Sequence, residues 1–239
     1  MIIIFGANGT LGDEICSSLI NGKKDIILCA NSGFSELEKK YVDEKYVKHI
    51  LKCDVEKIIN IEEIFNFLSK NNIKLSAVIN NFAFTFQESI SEREIEKERK
   101  IFNINYFGFS ELMENLVELT DDNYKTRVRV VNVLSNSLKT LNASNKHYIA
   151  SKAAVEKLSN FYSKKFARRF SINCVCPGLM KSRLTEERFA KDINKIEQLT
   201  PSKKLATPNE VASVISYLAN DCPLSVTGQT LYIDGGRTL

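Results

Sequence analysis

Ser135, Tyr148 and Lys152 are the residues whose types and spacing could do chemistry. Tyr148 and Lys152 stand four apart in Tyr148-Ile149-Ala150-Ser151-Lys152, and Ser135 precedes the tyrosine by thirteen positions. On a helix, residues i and i+4 lie one above the other on a single face. An ammonium ion beside a phenol favours the phenolate, so the pairing predicts a depressed phenol pKa. Such a phenol can give or take the proton that moves when a carbonyl and an alcohol interconvert. The tyrosine–lysine spacing alone recurs by chance in many helices. Its weight comes from the elements around it.

Those elements must hold a serine at a strand end and a tyrosine at a helix start. Val131-Asn132-Val133-Leu134 is apolar and β-branched, as in a buried parallel strand, and Ser135 falls at its carboxyl end. After Tyr148, the apolar residues Val155, Leu158, Tyr162 and Phe166 recur every three or four positions and predict a helix. At the amino end, Met1–Phe5 reads as a strand. It runs directly into Gly6-Ala7-Asn8-Gly9-Thr10-Leu11-Gly12 and an amphipathic stretch through Leu19 and Ile20. Strand, glycine-rich turn and helix together let backbone N–H groups and a helix N-terminus face a pyrophosphate.

Strands and helices alternate along the rest of the chain. Strands are expected near residues 1–5, 25–29, 46–51, 75–80, 127–134, 171–176 and 229–233. The helices between them carry candidate caps at Ser35-x-x-Glu38, Ser91-x-x-Glu94 and Thr207-Pro208-x-Glu210. Repeated strand–helix units predict an α/β fold, a parallel sheet covered on both faces. Two segments do not read as core: Ala83 to Ile90, and the charged, helical stretch Lys181 to Lys204. Both follow strand carboxyl ends, where open α/β sheets bind ligands, so they are expected to form a substrate pocket and its lid. Glu92 to Lys100 reads as the solvated face of a long helix.

The 239 residues suit one domain with a large core, and no repeat or linker divides them. A formal charge of +4, with both signs interspersed, argues against a nucleic-acid surface and permits anionic small molecules. No apolar run reaches the length of a membrane span, and the first residues already read as a strand. Neither signal peptide nor anchor is expected, and the location expected is cytoplasmic. Cys16, Cys29, Cys53, Cys174, Cys176 and Cys222 are scattered over strands and helices without zinc spacing. They are expected to be buried reduced thiols, with no metal site.

With these pieces in place the chain resembles the short-chain dehydrogenase/reductase family along nearly its whole length. Cys53-Asp54-Val55 is similar to the family's Asp-Val after the third strand, and Asn80-Asn81-Phe82-Ala83 to its Asn-Asn-Ala-Gly. Asn105 in Phe102-Asn103-Ile104-Asn105 matches the helix asparagine of the catalytic tetrad, and Pro177-Gly178 the end of the strand beside the nicotinamide. The tail from Thr207-Pro208-Asn209-Glu210 through Ile233-Asp234-Gly235-Gly236 resembles the 3-oxoacyl-carrier-protein reductase branch. Some positions depart from the pattern. Phe5 replaces a threonine, Gly9 and Thr10 shift the glycine spacing, Phe82-Ala83 replaces Ala-Gly, and Ser182 stands in for a threonine.

The resemblance implies a single Rossmann domain over residues 1–239 with a doubly wound, seven-stranded sheet, and a carbonyl–alcohol oxidoreductase working by hydride transfer. It implies that Ser135 hydrogen-bonds the reacting oxygen, Tyr148 moves the proton, Lys152 holds the nicotinamide ribose and Asn105 anchors a proton-relaying water chain. Cofactor contacts are implied for Gly6, Asn8, Gly9, Thr10, Leu11, Gly12, Asn31, Ser32, Asp54, Val55, Asn80, Asn81, Phe82, Tyr148, Lys152, Pro177, Gly178, Leu179 and Ser182. The second strand ends Cys29-Ala30-Asn31-Ser32 with no acid before Glu36, which favours NADP(H) over NAD(H), because a carboxylate there would repel a 2′-phosphate. The substrate expected is a 3-oxoacyl thioester, with a sugar or polyol derivative as the alternative; Lys164, Lys165, Arg168 and Arg169 could receive an acidic carrier protein but read better as a solvated helix face with lysine stems lying on the core. A cofactor-sensing protein without turnover would commonly lose the tyrosine or the lysine, and both are present. A homotetramer or homodimer is expected, built on helices at about 91–119 and 146–169. The last strand and the apolar stripe Val211, Val214, Ile215 and Leu218 would contribute a further contact.

Overall fold

Every apolar run named above forms a strand. The computed structural model describes residues 1–86, 94–120, 127–141, 146–180 and 193–239. The strands are β1 Ile2–Phe5, β2 Ile26–Ala30, β3 Val47–Lys52, β4 Ala77–Asn80, β5 Val128–Val133, β6 Phe170–Pro177 and β7 Thr230–Ile233. They form one seven-stranded parallel sheet in the order β3-β2-β1-β4-β5-β6-β7. The order reverses between β1 and β4, which opens a crevice at their carboxyl ends. Phe5 is level with Asn80, and Asn80 with Asn132, so the turns after β1, β4 and β5 open on the same edge.

The described helices are α1 Thr10–Asn21, α2 Phe34–Tyr41, α3 Ile58–Lys70, α4 Ile95–Phe102, α5 Gly108–Leu119, α6 Ser137–Thr140, α7 Lys146–Lys165, α8 Ile193–Leu199 and α9 Pro208–Asn220. Side chains alternate across the strands, so each strand feeds two cores. Ile3 and Phe5 pack with α3, α5 and α7 on one face, whereas Ile2 and Ile4 pack with α1, α2 and α9 on the other. All six cysteines are free and buried, and Cys174 and Cys176 share the first of these cores. No helix among the described residues is long and apolar enough to cross a membrane.

Four expectations change. The helix expected over 91–119 is described from Ile95 and is interrupted by a π turn, Asn103–Phe107, with Asn105 at its centre. The helix expected over 146–169 ends at Lys165, where the chain turns back into β6. Ser35 is not a cap but the second residue of α2; Gly33, at φ 65°, makes the left-handed turn that leads in. The Val211, Ile215 and Leu218 stripe is buried against this chain's own core, with Val214 partly so, and is therefore not a free contact face. The cap at Thr207 forms as expected: Glu210 N–H donates to Thr207 Oγ1 at 3.2 Å and Thr207 N–H to Glu210 Oε2 at 2.7 Å. Ser91 lies outside the described residues, as do 87–90 and 181–192 of the expected pocket segments.

Candidate active site

A groove runs along the carboxyl edge of the sheet. One half, a cleft of 420 Å³, is walled by Gly6, Asn31, Ser32, Asp54, Val55 and Phe82. The other, of 310 Å³, holds Gly9 to Gly12, Ser135, Tyr148, Lys152, Pro177 and Gly178. Asn8 and Asn81 belong to both, so the halves meet at the switch point. The first turn of α1 opens onto the second half, its N–H groups facing the groove.

The glycine turn is shaped by close approach. A Cβ on Gly12 would meet the Ala7 carbonyl oxygen at 2.5 Å, and one on Gly6, at φ 76°, would meet the Phe82 nitrogen at 2.7 Å. These contacts press the turn against the segment after β4, and Asn81 Nδ2 ties the two together by donating to the Gly6 carbonyl at 2.8 Å. Asn8 Nδ2 donates to the Ser32 carbonyl, joining the turn to the end of β2. The turns after β1 and β4 thus form a backbone cradle along the groove.

Ser135, Tyr148 and Lys152 converge in the half beyond that cradle. Lys152 Nζ lies 5.8 Å from the Tyr148 ring centroid and donates to the Val133 carbonyl at 2.8 Å, so the lysine is tethered to the end of β5. Only 4% of Lys152 is exposed, and burial brings its ammonium down to about 8 against the opposing pull of the Cys176 and Cys174 thiols. Burial likewise pushes the Tyr148 phenol up to about 12, opposed by a hydrogen bond with Ser135, while the Cys176 thiol adds to the rise. The expected depression of the phenol is thus reversed. Removing phenolate from water costs more than a lysine that is itself losing charge can return.

Asn105 is buried, outside the groove wall. Its Oδ1 accepts from the Phe84 N–H at 2.7 Å, and its Nδ2 donates to the Phe84 carbonyl and to Ser151 Oγ, both at 3.0 Å. Ser151 in turn donates to the Tyr148 carbonyl at 2.8 Å. The side chain clamps the segment after β4 to the first turn of α7. Asn80 also turns away from the groove, donating to Asn132 Oδ1 at 2.7 Å inside the sheet. Adjacent strand residues face opposite sides, so Asn81 takes the groove and Asn80 the core. Leu179 is half-buried and off the groove wall, and Ser182 lies outside the described residues. His147, next to Tyr148 in sequence, has its Nε2 facing Glu98 Oε2 of α4 at 3.8 Å.

Phe84, Lys100 and Ile104 also wall the first half, and sequence reasoning missed them. Lys100 reaches over the Phe84 ring at 5.3 Å and towards Glu56 at 3.6 Å. Its spacing of four from Ile104 was the available signal, hidden in a charged run. Arg169, expected on a solvated basic face, instead donates to the Val117 carbonyl and Thr120 Oγ1 and stacks between Phe166 and Phe170.

The family sequence model described as "Enoyl-(Acyl carrier protein) reductase" matches residues 6–238. The chain belongs to the short-chain dehydrogenase/reductase family. Among its relatives in this family, the 3-oxoacyl-[acyl-carrier-protein] reductase FabG of Rickettsia conorii is 29% identical over 99% of this chain and 96% of its own. Nodulation protein G of Rhizobium meliloti is 35% identical over 111 residues, which is 46% of each chain. Two dehydrogenase/reductase structures show the same fold. Actinorhodin polyketide ketoreductase (an F189W variant with NADPH) superposes with a TM-score of 0.88 at 21% identity, covering 99% of this chain and 97% of its own. Thermoplasma acidophilum aldohexose dehydrogenase does so at 0.83 and 22%, covering 99% and 93%.

Proposed function

We propose that this chain, as one domain over residues 1–239, is an NADP(H)-dependent carbonyl reductase acting on 3-oxoacyl thioesters. The observation that carries the reading is the convergence of Ser135, Tyr148 and Lys152 at one end of a groove whose other end is a backbone cradle. A bound nicotinamide supplies the hydride. Ser135 donates a hydrogen bond to the substrate carbonyl oxygen and Tyr148 gives that oxygen its proton. A phenol held at about 12 stays protonated at neutral pH, which suits the reducing direction. Lys152, fixed on the Val133 carbonyl, would bind the ribose. Asn105 holds the groove wall and α7 in register.

For the adenosine end, Asp54 and Val55 would receive the base, and Gly6 to Gly12 the pyrophosphate. Asn31 and Ser32 are exposed on the groove, and the sequence carries no acid between Asn31 and Ser35, which supports NADP(H). The ketoreductase neighbour binds NADPH. The thioester substrate rests on the likeness to FabG. Carrier-protein docking at the α7 basic cluster finds little support. Arg169 is taken up internally, and Lys164 stands sixteen residues from Tyr148, about 24 Å along the helix. The aldohexose dehydrogenase likeness favours a sugar or polyol derivative as the second reading.

Assembly as a dimer or tetramer is supported by Phe107 and Phe161, 59% and 52% exposed on the outer faces of the π turn and α7. A panel of 3-oxoacyl thioesters and keto-sugars, with NADPH oxidation followed by absorbance, tests the function. Turnover of a thioester is expected. Turnover of keto-sugars alone would overturn the substrate, and none at all the activity.

A further inference from the structure

Ser137 stands beside Ser135, and sequence reasoning gave it no role. The two hydroxyl oxygens are 2.7 Å apart, and the Ser137 backbone N–H donates to Ser135 Oγ at 3.1 Å. A serine oxygen has two lone pairs to accept with and one proton to give. The N–H can only donate, so it fills one lone pair of Ser135. The hydroxyl contact can run in either direction. Run from Ser135 to Ser137, it would commit the single Ser135 proton to a neighbour and leave Tyr148 and the substrate oxygen without a donor.

We propose that Ser137 is a positioning residue that fills both lone pairs of Ser135 and thereby turns the Ser135 proton towards Tyr148 and the substrate oxygen. The inference rests on the roles given above to Ser135 and Tyr148. The hydrogen bond with Ser135 acts to lower the Tyr148 phenol, as a donor to phenolate must. The turn that carries Ser137 is held on both sides. Asn136 N–H donates to the Pro177 carbonyl at 2.9 Å, and Leu138 N–H to the Ser135 carbonyl at 3.3 Å. Asn136 Nδ2 reaches Asp234 Oδ2 at 3.4 Å, and both side chains are buried. Ser137 opens α6, so its N–H and hydroxyl arrive on Ser135 together. A donor oriented before substrate enters has no reorganisation left to make in the transition state.

Ser137→Ala and Ser137→Thr test this, with Ser135→Ala and Tyr148→Phe as controls, on NADPH and whichever carbonyl of the panel turns over. Ser137→Ala is expected to lower kcat about five- to tenfold, the worth of one hydrogen bond, with KM for NADPH unchanged. In the oxidising direction its alkaline midpoint should move to higher pH, because phenolate loses an oriented donor. Ser137→Thr, which keeps the hydroxyl, should restore both. Wild-type kcat and midpoint in Ser137→Ala, or no recovery in Ser137→Thr, would overturn the inference. Loss of activity in Ser135→Ala and Tyr148→Phe beside an unaffected Ser137→Ala would overturn this step alone; full activity in Tyr148→Phe would overturn the function as well. Neutron diffraction on the perdeuterated protein reads the hydroxyls without turnover. The Ser137 deuteron should point at Ser135 and the Ser135 deuteron at Tyr148, and a Ser135 deuteron aimed at Ser137 would contradict the assignment.

Discussion

Replacing Asn105 by alanine should damage stability and cofactor binding before it damages chemistry. The amide makes three hydrogen bonds, two to the Phe84 backbone and one to Ser151, at 2.7 to 3.0 Å, from a residue 2% exposed. At about 1 kcal/mol net for each, the loss is about 3 kcal/mol. For a chain of this length each kcal/mol moves the melting midpoint about 2–4 °C, so Asn105→Ala should melt about 6–12 °C lower. The freed segment carries Phe82 and Phe84, which wall the groove, so NADPH should bind more weakly. Asn105→Asp should fall between, since it still accepts from the Phe84 N–H but sets a carboxylate oxygen against the Phe84 carbonyl. Thermal melts and a fluorescence titration with NADPH measure both effects. A variant with wild-type melting and Kd but a hundredfold loss of turnover would place Asn105 in the reaction and refute the clamp.

Asn31→Asp should weaken NADPH at least about tenfold while sparing NADH, by setting a carboxylate against the 2′-phosphate; tighter NADH binding by the unaltered protein would contradict this. Cys16, Cys29, Cys53, Cys174 and Cys176 are all raised from 9.0, chiefly by burial. Their stabilisation is therefore full below pH 9 and lost as pH climbs towards the raised values, 11–12 for Cys16, Cys53, Cys174 and Cys176, by about 1.4 kcal/mol per pH unit for each thiol. Lys152, lowered to about 8, acts oppositely between pH 8 and 10.5, so melts at pH 10 should still lie below those at pH 8, and equal ones would count against the buried thiols. Phe107→Glu with Phe161→Glu should shift light scattering from an oligomer to a monomer, and a stable monomer of the unaltered chain at micromolar concentration would contradict the assembly.

The sheet was legible because its strands are the β-branched runs themselves, and the glycine turn and the Tyr148–Lys152 pair were legible because their spacing is local. What escaped depends on contacts distant in sequence. The π turn at Asn103–Phe107 adds one residue to a helical pattern and barely disturbs its apolar spacing. The Val211 stripe is plainly apolar, but only its packing shows that α9 spends it on its own core. The sign of the Tyr148 shift depends on depth of burial, which a four-residue spacing does not report. Asn80 and Asn81 could have been separated by alternation, since adjacent residues of extended chain face opposite sides. Ser137 could have been noticed as a second hydroxyl two residues from Ser135; that it bonds back to Ser135 needed the turn into α6.

The most direct test of the account is Tyr148→Phe, measured as turnover of the identified carbonyl substrate beside the Kd for NADPH. The phenol contributes the proton, a group worth about a hundred- to ten-thousandfold, and contributes little to holding the cofactor. Turnover should fall by that factor with the NADPH Kd within about twofold of the unaltered protein. Wild-type turnover in Tyr148→Phe would contradict the central claim.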